Sequence, residues 1–114
     1  MKSKLEEKFE AFELEMEVAL DALIRFVKSL NNEAYLPLDF TWESLDRLEI
    51  VYKEILQGRM SANVEEDIFN TSVARYMGET LRKNLGGSWE LELDKELFNY
   101  GLPGIAQIDG LAPD

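Results

Sequence analysis

The sequence contains no cysteine and no histidine among its 114 residues. Without cysteine there are no disulfides, no thiolate metal sites and no thiol nucleophiles. Without histidine there are no serine–histidine triads, no imidazole acid–base chemistry and none of the Glu-x-x-His pairs that di-iron bundles require. Basic residues are scarce, 12 against 23 acidic ones, for a net charge of -11. Such an excess repels phosphate backbones and anionic headgroups, so neither nucleic acid nor a membrane surface is expected as a partner. Long apolar runs are lacking too. The chain opens Met1-Lys2-Ser3-Lys4-Leu5-Glu6-Glu7 with no apolar core of about 7–15 residues behind it, which argues against a secretory leader. No uncharged run approaches the length of a membrane span. A cytoplasmic protein is the expectation.

What is present is the mix of a globular protein, 46% apolar and 31% charged, in a length suited to a single domain over 1–114. Leu5, Phe9, Phe12, Met16, Ala19, Leu23, Phe26 and Leu30 recur at alternating spacings of four and three, an a/d seam. Leu20, Ile24 and Val27 add a second apolar row in its later half. One helix over about 4–30 is predicted, narrow-faced at its start, broadly buried toward its end and closed by Asn31-Asn32. Tyr35, Leu36, Leu38 and Phe40 should tuck against the core in the following loop. A second helix spans about 41–57, capped by Asp39 or Thr41, with Leu45, Leu48, Tyr52, Ile55 and Leu56 inward and Gly58 at its end. A third spans about 64–85, opened by Asn63 with Glu66 three residues later. Ile68, Phe69, Val73, Tyr76, Met77, Leu81 and Leu85 form its expected apolar stripe, and Gly86-Gly87 ends it.

Beyond that the period changes from 3.6 to 2. Trp89, Leu91 and Leu93 alternate with acids, which predicts a strand over about 88–93. A second strand is expected over about 105–108, ended by Asp109-Gly110. The predicted class is α+β: three helices followed by a small antiparallel sheet.

Two features could carry chemistry. Glu6, Glu10, Glu13, Glu17 and Asp21 line one stripe of the first helix. Carboxylate oxygens suit Mg²⁺ or Ca²⁺, but an exposed row of like charges keeps its waters, so a solvated acidic face is expected and no metal or other cofactor. Gly78 sits in mid-helix at a cost of about 1 kcal/mol relative to alanine. One turn after Ala74, it makes a groove for close approach of another element. Its neighbour Glu79 lies within one turn of Arg75, Arg82 and Lys83, bases that would keep it ionised. Arg75, Tyr76, Gly78, Glu79, Arg82 and Trp89 are therefore the candidate binding residues, with no catalytic residue among them. Trp89, in register with two leucines, is expected in the core.

The run Tyr76-Met-Gly78-Glu79 through Gly86-Gly87-Ser-Trp89 resembles a family of small, uncharacterised bacterial proteins carrying Tyr-x-Gly-Glu followed by Gly-Gly-x-Trp. The resemblance covers about residues 69–113. It implies a helix with a Gly-Glu pair, a glycine turn, a tryptophan strand and a short Pro-Gly strand, here Leu102-Pro103 and Ile105 to Gly110. It implies no known reaction, and some similar acidic proteins are encoded in toxin–immunity or stress-related neighbourhoods.

The leading expectation is a non-enzymatic protein-binding module, immunity- or adaptor-like, that engages a basic protein partner. One alternative is a homodimer or larger homo-oligomer assembled through the helix-one seam. The other is a small-molecule site around Glu79, Arg75 and Tyr76. The charge is unevenly placed. Residues 5–24 hold seven acids and one base, and residues 88–114 hold six acids and one base, which together account for the whole net charge.

Overall fold

The computed structural model describes residues 2–58, 66–97 and 100–106. Three helices, α1 (Lys4–Ser29), α2 (Trp42–Leu56) and α3 (Glu66–Leu85), precede two strands, β1 (Ser88–Leu91) and β2 (Pro103–Ala106). The fold is α+β, as the periodicities indicate.

Each helix begins and ends for a local reason. Ser3 accepts the Glu6 N–H at 3.1 Å, and its hydroxyl lies 3.2 Å from the Glu6 carboxylate, a capping arrangement at the head of α1. Asn31, with φ of 55°, closes α1 in the left-handed conformation. Asn32 then caps a short 3₁₀ turn, Glu33–Tyr35, by accepting the Ala34 N–H at 2.9 Å. Thr41 caps α2 by accepting the Ser44 N–H at 3.2 Å, and Asp39 in turn accepts the Thr41 hydroxyl at 2.7 Å. Gly58, Gly86 and Gly87 follow α2 and α3 with positive φ. The expected cap at Asn63, the Asp109-Gly110 turn and the last two residues of the expected second strand lie outside the described residues.

The core joins all three helices and the loop between the first two: Leu20, Leu23 and Val27, then Tyr35 and Leu38, then Leu48 and Val51, then Phe69 and Tyr76. Phe69 sits at its centre, edge-on to Phe26 with centroids 5.8 Å apart and stacked on Tyr52 at 5.9 Å. α1 is fully buried only from Leu20 onward, in keeping with its widening apolar face.

Four expectations are corrected. In α2, Val51 is fully buried and Leu56 is exposed. In α3, Ile68, Met77 and Leu81 of the expected stripe are exposed, while Ser72, Arg75, Glu79 and Thr80 are buried with Phe69 and Tyr76. That face meets α1, α2 and the sheet at once: Arg75 bonds to Phe12 of α1, Tyr76 to Ser44 of α2 and Glu79 to Trp89 of β1, while Thr80 donates back to the Tyr76 carbonyl of its own helix. β1 ends at Leu91 rather than 93, leaving Leu93 exposed. β2 starts at Pro103, two residues before the expected position. Trp89 pairs antiparallel with Ile105 and Leu91 with Pro103. The ladder runs on through backbone bonds from Glu92 N–H to Leu102 and from Gly101 N–H to Glu92. Among the described residues no helix is long and apolar enough to cross a membrane.

Candidate functional site

The candidate residues on α3 separate into three groups that point in different directions. Gly78 and Glu79 face the sheet. A Cβ placed on Gly78 would lie 2.2 Å from Trp89 Cη2 and 2.6 Å from Cζ2, so the indole rests directly on the helix backbone and only glycine leaves it room. Glu79, 7% exposed, accepts the Trp89 indole N–H at 2.9 Å. The same carboxylate takes two bonds from the Arg82 guanidinium, at 2.5 and 3.1 Å. Trp89 is also edge-on to Phe12 of α1, with centroids 5.0 Å apart. The Gly-Glu pair and the tryptophan thus form one latch that fixes the sheet to α3 and α1.

The electrostatics of the latch follow from its contacts. The Arg82 hydrogen bond is the main reason the Glu79 carboxyl sits below its ordinary pKa. Burial pushes the other way and loses, because Trp89 and the charges of Arg82 and Lys83 reinforce the anion. Glu79 raises Arg82 in return.

Tyr76 and Arg75 turn elsewhere. The Tyr76 hydroxyl accepts the Phe40 N–H at 3.0 Å and lies 2.7 Å from the Ser44 hydroxyl. Ser44 donates to the Thr41 carbonyl at 2.7 Å, which leaves the Tyr76 hydroxyl to donate to Ser44. Phe40, with φ of 62°, stacks on the Tyr76 ring at 4.7 Å, and Asn84 donates to the Phe40 carbonyl at 2.7 Å. Arg75 does not reach Glu79. Its guanidinium lies 4.1 Å from the Phe12 ring centroid, donates to the Phe12 carbonyl at 2.6 Å and comes within 3.7 Å of Glu15. Burial lowers the Arg75 pKa and Glu15 opposes the shift. Among the described residues no buried side-chain nitrogen or oxygen lacks a partner.

The acidic stripe on α1 divides in two. Glu6 and Glu10 lie near the N-terminus, beside Ser3 and Lys2. Glu13, Glu17 and Asp21 instead form one wall of a groove of about 460 Å³ between α1 and α3. Met16, Leu20 and Ile24 of α1 also line it, with Phe40, Glu79 and Lys83 on the opposite side. The Lys83 ammonium lies 4.7 Å from the Phe40 ring centroid. Among the described residues Glu13 and Glu17 have no ion-pair partner, and Asp21 pairs with the exposed Arg25 at 2.9 Å. Among the described residues no three carboxylates converge to hold a metal ion.

Spacing marks Lys83 only as a neighbour of Glu79 and Phe40 only as a core residue; that both line this groove follows from the tertiary fold. The i, i+3 offset between the acidic row and Met16, Leu20 and Ile24 was the available signal. A second groove, about 420 Å³, runs between α2 and α3, lined by Leu45, Tyr52, Val73 and Met77 with Asp46 and Glu49 at its edge. Comparison with protein-family models, curated proteins and solved structures finds no match to this chain.

Proposed function

We propose that the chain is a non-enzymatic protein-binding module, immunity- or adaptor-like, that engages a basic protein through the acidic face of α1. The observation that carries this reading is the groove in which Glu13, Glu17 and Asp21 stand beside apolar side chains of the same helix. Glu13 and Glu17, which have no ion pair among the described residues, gain from a partner's cations and sacrifice nothing in the free state, and the pair of Asp21 with Arg25 is exposed and cheap to exchange. The wider field of a chain with net charge -11 speeds encounter with a basic surface. Interface burial comes from the apolar side chains, and orientation from the charged row.

An enzymatic reading around Glu79 is disfavoured by its contacts. The carboxylate is already bonded to Arg82 and Trp89, and its lowered pKa makes it a weak base and no proton donor near neutral pH. Self-association is the second reading, favoured by Leu14 and Val18, which stand 81% and 72% exposed one turn apart on α1. The seam itself is engaged within the chain, where Phe12 meets Trp89 and Phe26 meets Phe69.

The test is capture from host lysate with the wild type beside Glu13→Gln/Glu17→Gln/Asp21→Asn. A basic protein retained by the wild type, released by salt and lost with the triple variant supports the reading. Equal retention by both proteins, or no salt-sensitive partner, defeats it. Light scattering at micromolar concentration separates the second reading, which requires a mass above 13.1 kDa.

A further inference from the structure

Resting on that reading, we infer that the partner presents an amphipathic helix, with basic residues one turn apart along one flank, and that it lies along the α1–α3 groove. Glu13, Glu17 and Asp21 repeat every four residues, and Met16, Leu20 and Ile24 repeat at the same interval three positions later. At the helical rise this makes two parallel rows, each advancing about 6 Å per step and about 12 Å in all. One row is anionic and the other apolar. A helix with an apolar ridge and Lys or Arg along one flank matches both rows at the same pitch.

An extended segment advances at a similar rate per two residues, so pitch alone does not choose between them; hydrogen bonding does. Peptides bound in extended form draw on the open edge of a sheet for backbone partners. This groove is walled by two helices whose backbone groups are bonded internally, so an extended occupant would leave its own N–H and C=O groups unpaired. A helix brings its own. A second copy of the chain is the wrong occupant, because it would bring another net charge of -11 to the same acidic wall.

The opposite wall sets the orientation. Glu79 on that wall is already neutralised by Arg82, and Lys83 stands there over the Phe40 ring, so the two sides of the groove differ in sign. The flank of the partner helix that faces α3 is therefore neutral or acidic, and a helix basic on both flanks is penalised by like-charge contact.

Three peptides of equal length test this by calorimetric titration into the full chain. The first carries a leucine ridge with lysines on one flank only. The second has the same composition scrambled to destroy the amphipathic pattern, and the third has lysines on both flanks. Binding of the first at least about tenfold tighter than the second, with that advantage lost in Glu13→Lys/Glu17→Lys, is the expected result. Lys83→Ala should tighten the third peptide by about two- to fivefold and leave the first nearly unchanged, since only one contact of like charge is relieved. Equal, salt-sensitive binding of the first two peptides overturns the helix inference while leaving a basic partner in place. Absence of salt-sensitive binding by any of the three overturns both. Far-UV circular dichroism of the variants, all altered at exposed positions, verifies that they remain folded.

Discussion

The Glu79 carboxylate holds the Trp89 indole N–H at 2.9 Å, joining the middle of α3 to the first strand ten residues later. Beside it the indole rests against the backbone at Gly78. The two contacts explain the mid-helix glycine and the buried acid together. The first makes space for the ring and the second fixes its rotation. Tyr76, one turn earlier, ties the same helix to the loop before α2, so α3 is the hub from which both neighbours are positioned.

Replacing Gly78 by alanine should destabilise the chain despite alanine's better helix propensity. Propensity returns about 1 kcal/mol, but a Cβ cannot sit 2.2 Å from an aromatic carbon. Moving the indole also breaks its bond to Glu79, so the net loss should be about 1–3 kcal/mol. Urea unfolding gives the number. In a Trp42→Phe background, red-shifted emission from Trp89 reports the displaced ring.

Glu79→Gln should cost about 1–3 kcal/mol at neutral pH, because its amide group turns a donor toward Arg82, which also donates. The pH dependence has a definite sign. Glu79 is held below its ordinary value of 4.5 in the folded chain, so its contribution is complete above that pH and fades as pH falls through the folded value. The stability gap between wild type and variant, measured by urea unfolding from pH 7 downward, should therefore stay constant to about pH 5 and then close.

Tyr76→Phe removes the acceptor of the Phe40 N–H and the donor to Ser44, leaving both inside the protein. A loss of about 1–3 kcal/mol is expected. Ser44→Ala should cost less in the Tyr76→Phe background than in the wild type, a coupling that a double-mutant cycle measures directly.

Most helix ends and the start of β1 are legible in the sequence because the residues that decide them act locally, whereas β2 starts two residues early. Asn31, Thr41, Gly58 and Gly86-Gly87 perform their expected tasks. Ser3 and Glu6 carried a capping signature that spacing alone could have revealed. Burial on α3 was not legible. Periodicity assigns apolar positions inward, yet Met77 and Leu81 face outward while Glu79, Thr80 and Ser72 face in. Glu79 is buried against Trp89, and the Tyr76 hydroxyl against Ser44 and Phe40, partners brought close only by the tertiary fold. The six candidate residues lie on one helix and its following strand, but three directions of approach divide them. Only Gly78, Glu79, Arg82 and Trp89 act as a unit.

That reversal on α3 has a measurable consequence. Met77→Lys should change stability by no more than about 0.5 kcal/mol, as at other exposed positions. Val51→Ala, absent from the expected apolar stripe of α2 but fully buried, should cost about 2 kcal/mol. Thermal or urea unfolding of the two variants distinguishes the observed burial from the sequence-based pattern.

The most direct measurement is a ¹⁵N-resolved NMR titration of the full chain with a peptide bearing lysines along one flank of a leucine ridge, at low and high salt. Binding through the acidic face of α1 requires salt-sensitive shifts concentrated on residues 13–24, with Phe40 and Lys83 moving alongside. Shifts centred instead on Leu45, Tyr52 and Met77 in the groove between α2 and α3, or a spectrum unmoved by the peptide, would contradict it.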